Sequence, residues 1–380
     1  MPFAAALSEH PLPTHATGEV VGQVLERLGE GAPDLAILFV TGAHGGALED
    51  IGATVRAALD PGTLLGVTAV SVAGGDREVE ERPAVALWAG RLPASRPPRP
   101  VRLTGRAASW HGLPPDTDPE QDLLLVLADP FSFPADALLD DLAASQPGLA
   151  VVGGLASAAH GPGGNRLLLD GSLHDDGAVG VLLDRSGATT VVSQGCRPVG
   201  DPFVVTRADG NVVHELAGRP ALERLEQLVA GLSPADRALA GRGLHIGRVI
   251  DEQRAEFERG DFLIRAVLGA DRESGALAIG DRAEVGATLQ FQVRDAVSAD
   301  EDLRSMLAGR RADGALLFTC NGRGRRLFDA GDHDAGVLDT VVDGGATAGM
   351  FCAGELGPVG GRNFLHGYTA SMILFADRLG

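Results

Sequence analysis

Leu35-Ala36-Ile37-Leu38-Phe39-Val40 is an unbroken apolar run bounded by turn-forming residues, and it reads as a buried strand. Before it, Val20, Val21, Val24, Leu25 and Leu28 recur at helical spacing, with Thr17 placed as N-cap and Gly29 or Gly31 as the stop. After it, residues Ala47 to Leu59 read as a second helix. A Gly-containing strand follows at Leu65-Gly66-Val67-Thr68-Ala69-Val70, then an apolar strand at Ala84-Val85-Ala86-Leu87-Trp88.

That order recurs. A second copy runs through Leu123–Leu127, a helix from Ala135 to Leu142, the Gly-rich strand Val151–Ser157, and the apolar strand Gly177–Leu183. A third runs through Ala315–Cys320, a helical stretch to Val337-Leu338, Gly344–Gly349, and Gly367–Phe375. The pattern is an internal repeat of a β-α-β-β unit, with too few copies for a solenoid. The fold class expected is α/β (α+β): two domains built from such units, with mixed sheets carrying helices on one face. Leu222, Leu225 and Leu228 mark a helical connector, and a boundary near Gly218 gives domains 1–217 and 218–380. The proline-rich stretch Leu92 to Pro100 reads as a loop.

The chain has 380 residues, 44% hydrophobic against 22% charged, which supports packed cores. Its formal charge of −19 argues against nucleic acid and anionic membrane surfaces, where clustered cations are needed. No apolar segment approaches a membrane span, the N-terminus lacks a cationic signal region, and three irregularly spaced cysteines make no disulfide framework. A reducing cytoplasm is the expected compartment. All 32 residues counted as Lys or Arg are arginine. The absence of lysine excludes Schiff-base chemistry and the lysine-containing phosphate loop. Thr41-Gly42-Ala43-His44-Gly45-Gly46 has the wrong spacing for a dinucleotide fingerprint. No cofactor and no metal are expected. The Asp332-His333-Asp334 trio reads as a polar loop rather than a ligand set, and no G-x-S-x-G or zinc-type pair occurs.

Two Gly-rich loops carry the candidate site. Cys320-Asn321-Gly322-Arg323-Gly324 leaves one apolar strand, and Cys352-Ala353-Gly354-Glu355 leaves the next, with Asn363 shortly after. Loops without Cβ bulk at strand ends let a small molecule approach the backbone. Arg323 is the candidate for gripping a carboxylate, Asn321 for orienting it, and Glu355 for accepting an ammonium or locking Arg323. Arg325 and Arg326 read as a solvated helix face. Gly154 and Ser157 occupy the matching place in the second copy. Cys320 and Cys352 are either small buried hydrophobes or, in a competing reading, nucleophiles of a Cys-dependent enzyme acting on a small metabolite. A third reading is an interaction scaffold without a ligand.

Cys320-Asn321-Gly322-Arg323, then Gly354-Glu355-Leu356-Gly357-Pro358, then a last strand containing Thr369, resembles the FIST proteins, whose paired FIST-N and FIST-C domains occur in signal transduction. Val151-Val152-Gly153-Gly154 and Gly177-Ala178-Val179-Gly180 resemble the N-terminal half of that family. The resemblance covers about Leu35 to Phe375. It implies a sensory protein that binds small ligands, with amino acids or their derivatives as the class. The two halves leave no room for an output module, so signalling through a protein partner is implied.

Overall fold

The computed structural model describes residues 2–92, 96–254, 256–257 and 259–376. Residues 93–95 of the proline-rich stretch lie outside the described residues. The chain forms two compact units: residues 1–193 together with 303–380, and residues 194–302.

Three six-residue or longer parallel pairs anchor the first unit. Strands β1 (Leu35–Thr41) and β2 (Thr63–Ala69) run side by side, as do β3 (Asp122–Ala128) with β4 (Ala150–Leu155), and β5 (Gly314–Cys320) with β6 (Thr347–Cys352). The first strand of each pair is flanked antiparallel by Val85–Gly90, Ala178–Asp184 and Thr369–Phe375 respectively. Each pair nucleates its own sheet, and the hairpins between strands are exchanged. The Ser71–Glu80 hairpin follows β2 in the chain but pairs with β6. Leu167–His174 follows β4 but pairs with β2, and Glu355–His366 follows β6 but pairs with β4.

The apolar runs are continuous because both faces of these strands are covered. Leu35, Ile37 and Phe39 face a central core shared with Leu125, Val152, Phe318, Met350 and Phe375, while Ala36, Leu38 and Val40 face helices α1 (Pro13–Leu28) and α2 (Leu48–Leu59). Leu124 and Val126 likewise pack on helix α3 (Ala135–Ser145). The core's one tryptophan, Trp88, is fully buried, and its indole N–H donates to the Ala346 carbonyl at 3.1 Å. Helix α1 starts four residues before the expected cap. Pro13, with its fixed φ and missing N–H, suits the first helical turn, and Thr17 sits inside the helix with its hydroxyl donating to the Pro13 carbonyl at 2.7 Å.

The second unit is a closed barrel. From Thr288–Arg294 the hydrogen-bonded circuit passes through Phe203–Asp209, Val212–Leu216, Ala276–Ile279, Phe262–Asp271 and Leu244–Val249, then returns to Thr288–Arg294. Closure removes the sheet edges, and Val205, Val213, Ile246, Leu277, Phe291 and Val293 fill the interior. Gly218, at φ +71°, turns the chain within the second unit, where Leu216 pairs with Arg219.

Candidate functional site

The carboxyl ends of the three parallel pairs converge on a cavity of about 370 Å³ in the first unit. Chain leaving β2 contributes Val70 and Ser71, and chain leaving β3 contributes Pro130 and Phe131. The exit of β4 adds Ser157, Ala159 and His160, and the ends of β5 and β6 add Asn321, Arg326, Phe351 and Ala353. The exchanged hairpin supplies Glu80 and, just beyond it, Glu81. An adjoining cavity of about 390 Å³ shares Val70, Glu81, His160 and Arg326 and extends to Thr41, Gly42 and Arg82. In open α/β sheets, strand carboxyl ends are the recurrent ligand position, because loops there are free to vary over a rigid frame.

Ser157 ties the three strand ends together. Its hydroxyl donates to the Phe351 carbonyl at 2.5 Å and accepts from the Val70 N–H at 3.0 Å. Asn321 is held by its backbone N–H on the Cys352 carbonyl at 3.0 Å, while its side-chain Oδ1 has no hydrogen-bond partner among the described residues. Glu80 accepts the Arg325 N–H on both oxygens at 3.1 and 3.2 Å, and burial pushes its carboxyl above the ordinary range. Gly324 makes that approach possible: it sits at φ +55°, and a Cβ there would meet the Glu80 carboxylate and the Phe351 ring at 2.8 Å.

Arg323 does not face the cavity. Its fork closes on Asp334, with Nε to Oδ2 at 2.6 Å and Nη2 to Oδ1 at 2.7 Å, and its Nη1 has no hydrogen-bond partner among the described residues. A guanidinium that is 0% exposed requires a buried counter-ion, which removes Arg323 from the role of carboxylate clamp. Asp334 lies in the first turn of the short helix α4 (His333–Asp339) and also accepts from Thr319 at 2.6 Å and pairs with His333 at 2.9 Å. Burial opposes its ionisation, but Arg323 and these bonds hold it well below the usual carboxylate range. Two members of the Asp332-His333-Asp334 trio are thereby tied into this network. Glu78, accepting the Ala335 N–H at 3.0 Å, is pushed up to about 8 by burial and by the Asp334 charge.

Glu355 is also fully buried and bonds neither Arg323 nor the cavity: it accepts from the Thr369 hydroxyl at 2.8 Å and N–H at 3.2 Å. Burial pushes it up to about 8 against those bonds. Burial and the Glu355 charge push the Cys320 and Cys352 thiols well above their ordinary range, which opposes thiolate formation and leaves the nucleophile reading without support. Asn363 stands off the cavity, its amide accepting from the Val151 N–H at 2.8 Å and donating to the Leu149 carbonyl at 2.7 Å. Gly322 packs under the Tyr368 ring, Gly354 against Leu155 and Leu365, and Gly154 against Cys352. Of the residues singled out in the sequence, Asn321 and Ser157 line the cavity. Glu80, Phe131 and His160 were missed, since no periodicity or motif marks them. Among the described residues, no group of three or more His, Cys, Asp or Glu is arranged to hold a metal ion.

Residues 34–219 match the FIST N domain and residues 221–358 the FIST C domain. The chain belongs to the FIST family. An uncharacterized protein of Mycobacterium tuberculosis is 45% identical to it over 387 residues, 99% of this chain and 100% of the relative. One of Mycobacterium bovis is 46% identical over 370 residues, 95% of each chain. FIST domains are associated with signal transduction and small-ligand sensing. The cavity of this FIST protein draws walls from both matched regions: Val70 to His160 from the first, Asn321 to Ala353 from the second. Among the described residues, no helix is long and apolar enough to cross a membrane.

Proposed function

We propose that this FIST protein is a cytoplasmic sensor that takes a small polar, amino-acid-like metabolite into the strand-end cavity and signals occupancy to a protein partner. The observation that carries the reading is the lining itself. Apolar surface from Val70, Phe131 and Phe351 stands beside Glu80, Glu81 and Arg326, in a space of about 370 Å³. Ligand sites commonly pair an apolar wall with a few placed polar groups. Asn321 and Ser157 belong to this site, whereas Arg323, closed on Asp334, does not.

Thermal unfolding of the full chain against a panel of amino acids and small carboxylates tests the proposal, since a ligand that binds only the folded state raises Tm. A shift is expected in the wild-type chain and its loss in Ala353→Trp, which fills the cavity from an exposed wall residue. A ligand whose shift survives Ala353→Trp unchanged places binding elsewhere and defeats the reading.

A further inference from the structure

We propose that the cavity grips its ligand by an ammonium group, with Glu80 as counter-charge and Asn321 Oδ1 as a second acceptor, so that its ligands are primary amines bearing an apolar substituent. The proposal rests on the small-ligand reading above and names the group that is recognised.

The arginines near the cavity already hold carboxylates. Arg323 is closed on Asp334, Arg326 lies on Glu81 at 2.7 Å, and Arg82 of the adjoining cavity lies on Glu9 at 2.7 Å. An incoming carboxylate must therefore displace a partner. Glu80 is placed differently. Its two oxygens take a backbone N–H, and its ion pair with the Arg325 side chain is a long 3.9 Å, from a side chain 69% exposed. Its own side chain is only 15% exposed, so its charge is desolvated without close cationic compensation. A ligand ammonium supplies that compensation. The same ammonium has three N–H donors, and Asn321 Oδ1, on the same lining, is an acceptor left without a partner among the described residues. Phe131, 42% exposed, and Phe351 offer the aromatic and apolar surface that suits an arylalkyl or alkyl substituent. The chain's formal charge of −19 adds a field that attracts cations.

The test uses the full chain with two probes of similar shape, phenethylamine and 3-phenylpropionate, titrated by calorimetry at neutral pH. Phenethylamine is expected to bind and 3-phenylpropionate to bind at least about tenfold more weakly, the scale of one lost charge-assisted contact. Glu80→Gln should weaken phenethylamine about tenfold, and Asn321→Ala should weaken it severalfold even if Glu80→Gln folds poorly. Preferential binding of 3-phenylpropionate, binding of neither probe, or phenethylamine binding unchanged in both variants overturns the inference. If 3-phenylpropionate alone binds and Ala353→Trp abolishes it, the cavity reading stands and only the amine assignment falls. Phenethylamine binding that Ala353→Trp leaves intact overturns both.

Discussion

Arg323 and Asp334 close a bidentate ion pair in which both side chains are 0% exposed. The pair ties the turn after β5 to helix α4, across the segment that carries Arg326 to the cavity. Removing one partner leaves an uncompensated buried charge, for which Arg323→Ala or Asp334→Asn should cost about 3–5 kcal/mol in urea unfolding. A double variant, Arg323→Met with Asp334→Leu, should recover much of that loss, because apolar replacement of the whole pair avoids the desolvation of both ions. Single variants that unfold within about 1 kcal/mol of the wild type would show the pair to be incidental.

Glu355 gives a pH dependence of definite sign. Its pKa is raised from 4.5 to about 8 in the native state, so between those values the unfolded chain releases a proton that the folded chain keeps. The unfolded state then binds fewer protons, and its contribution to stability, complete below about pH 4.5, is lost as pH rises toward 8. Glu78 acts in the same direction, whereas the lowered Asp334 contributes stability that is lost at acid pH. Glu355→Gln keeps an uncharged acceptor for Thr369. It should stabilise the chain by roughly 2–4 kcal/mol at pH 8 and leave it nearly unchanged at pH 4. Parallel stability–pH curves for variant and wild type would refute the assignment.

The strands and helices were legible because both-face burial writes itself as unbroken apolar runs, such as Leu35–Val40 and Ala315–Cys320. That Asn321 and Ser157 stand at the cavity was legible because glycine-rich strand exits leave space beside the backbone. Glu80 was not, because its place depends on the Ser71–Glu80 hairpin leaving β2 to pair with β6. Nothing local in that hairpin specifies the distant sheet it joins. Arg323 misled for a related reason. A lone arginine in a Gly-rich loop looks available, and its counter-ion lies eleven positions on, in a trio that reads as polar loop. The barrel was hidden too, since closure is a property of pairing rather than of any single strand.

Gly154 and Cys352 are matched across two sheets. A Cβ at position 154 would fall 2.3 Å from the Cys352 Sγ and 3.2 Å from the Met350 Cε, so Gly154→Ala overpacks the core against a side chain. That should cost about 1–3 kcal/mol. Cys352→Ala opens a small cavity and should cost about 1–2 kcal/mol by itself. Because the clash and the cavity share one space, the double variant should be less destabilised than the sum by about 1 kcal/mol or more. Gly153→Ala serves as the control: at φ +143°, with a Cβ only 1.9 Å from the Val126 carbonyl oxygen, it meets backbone that no side-chain truncation relieves. Its cost should therefore be unchanged by Cys352→Ala. Additivity of Gly154→Ala with Cys352→Ala to within about 0.5 kcal/mol in urea unfolding would mean that the cysteine is not what reserves this position for glycine.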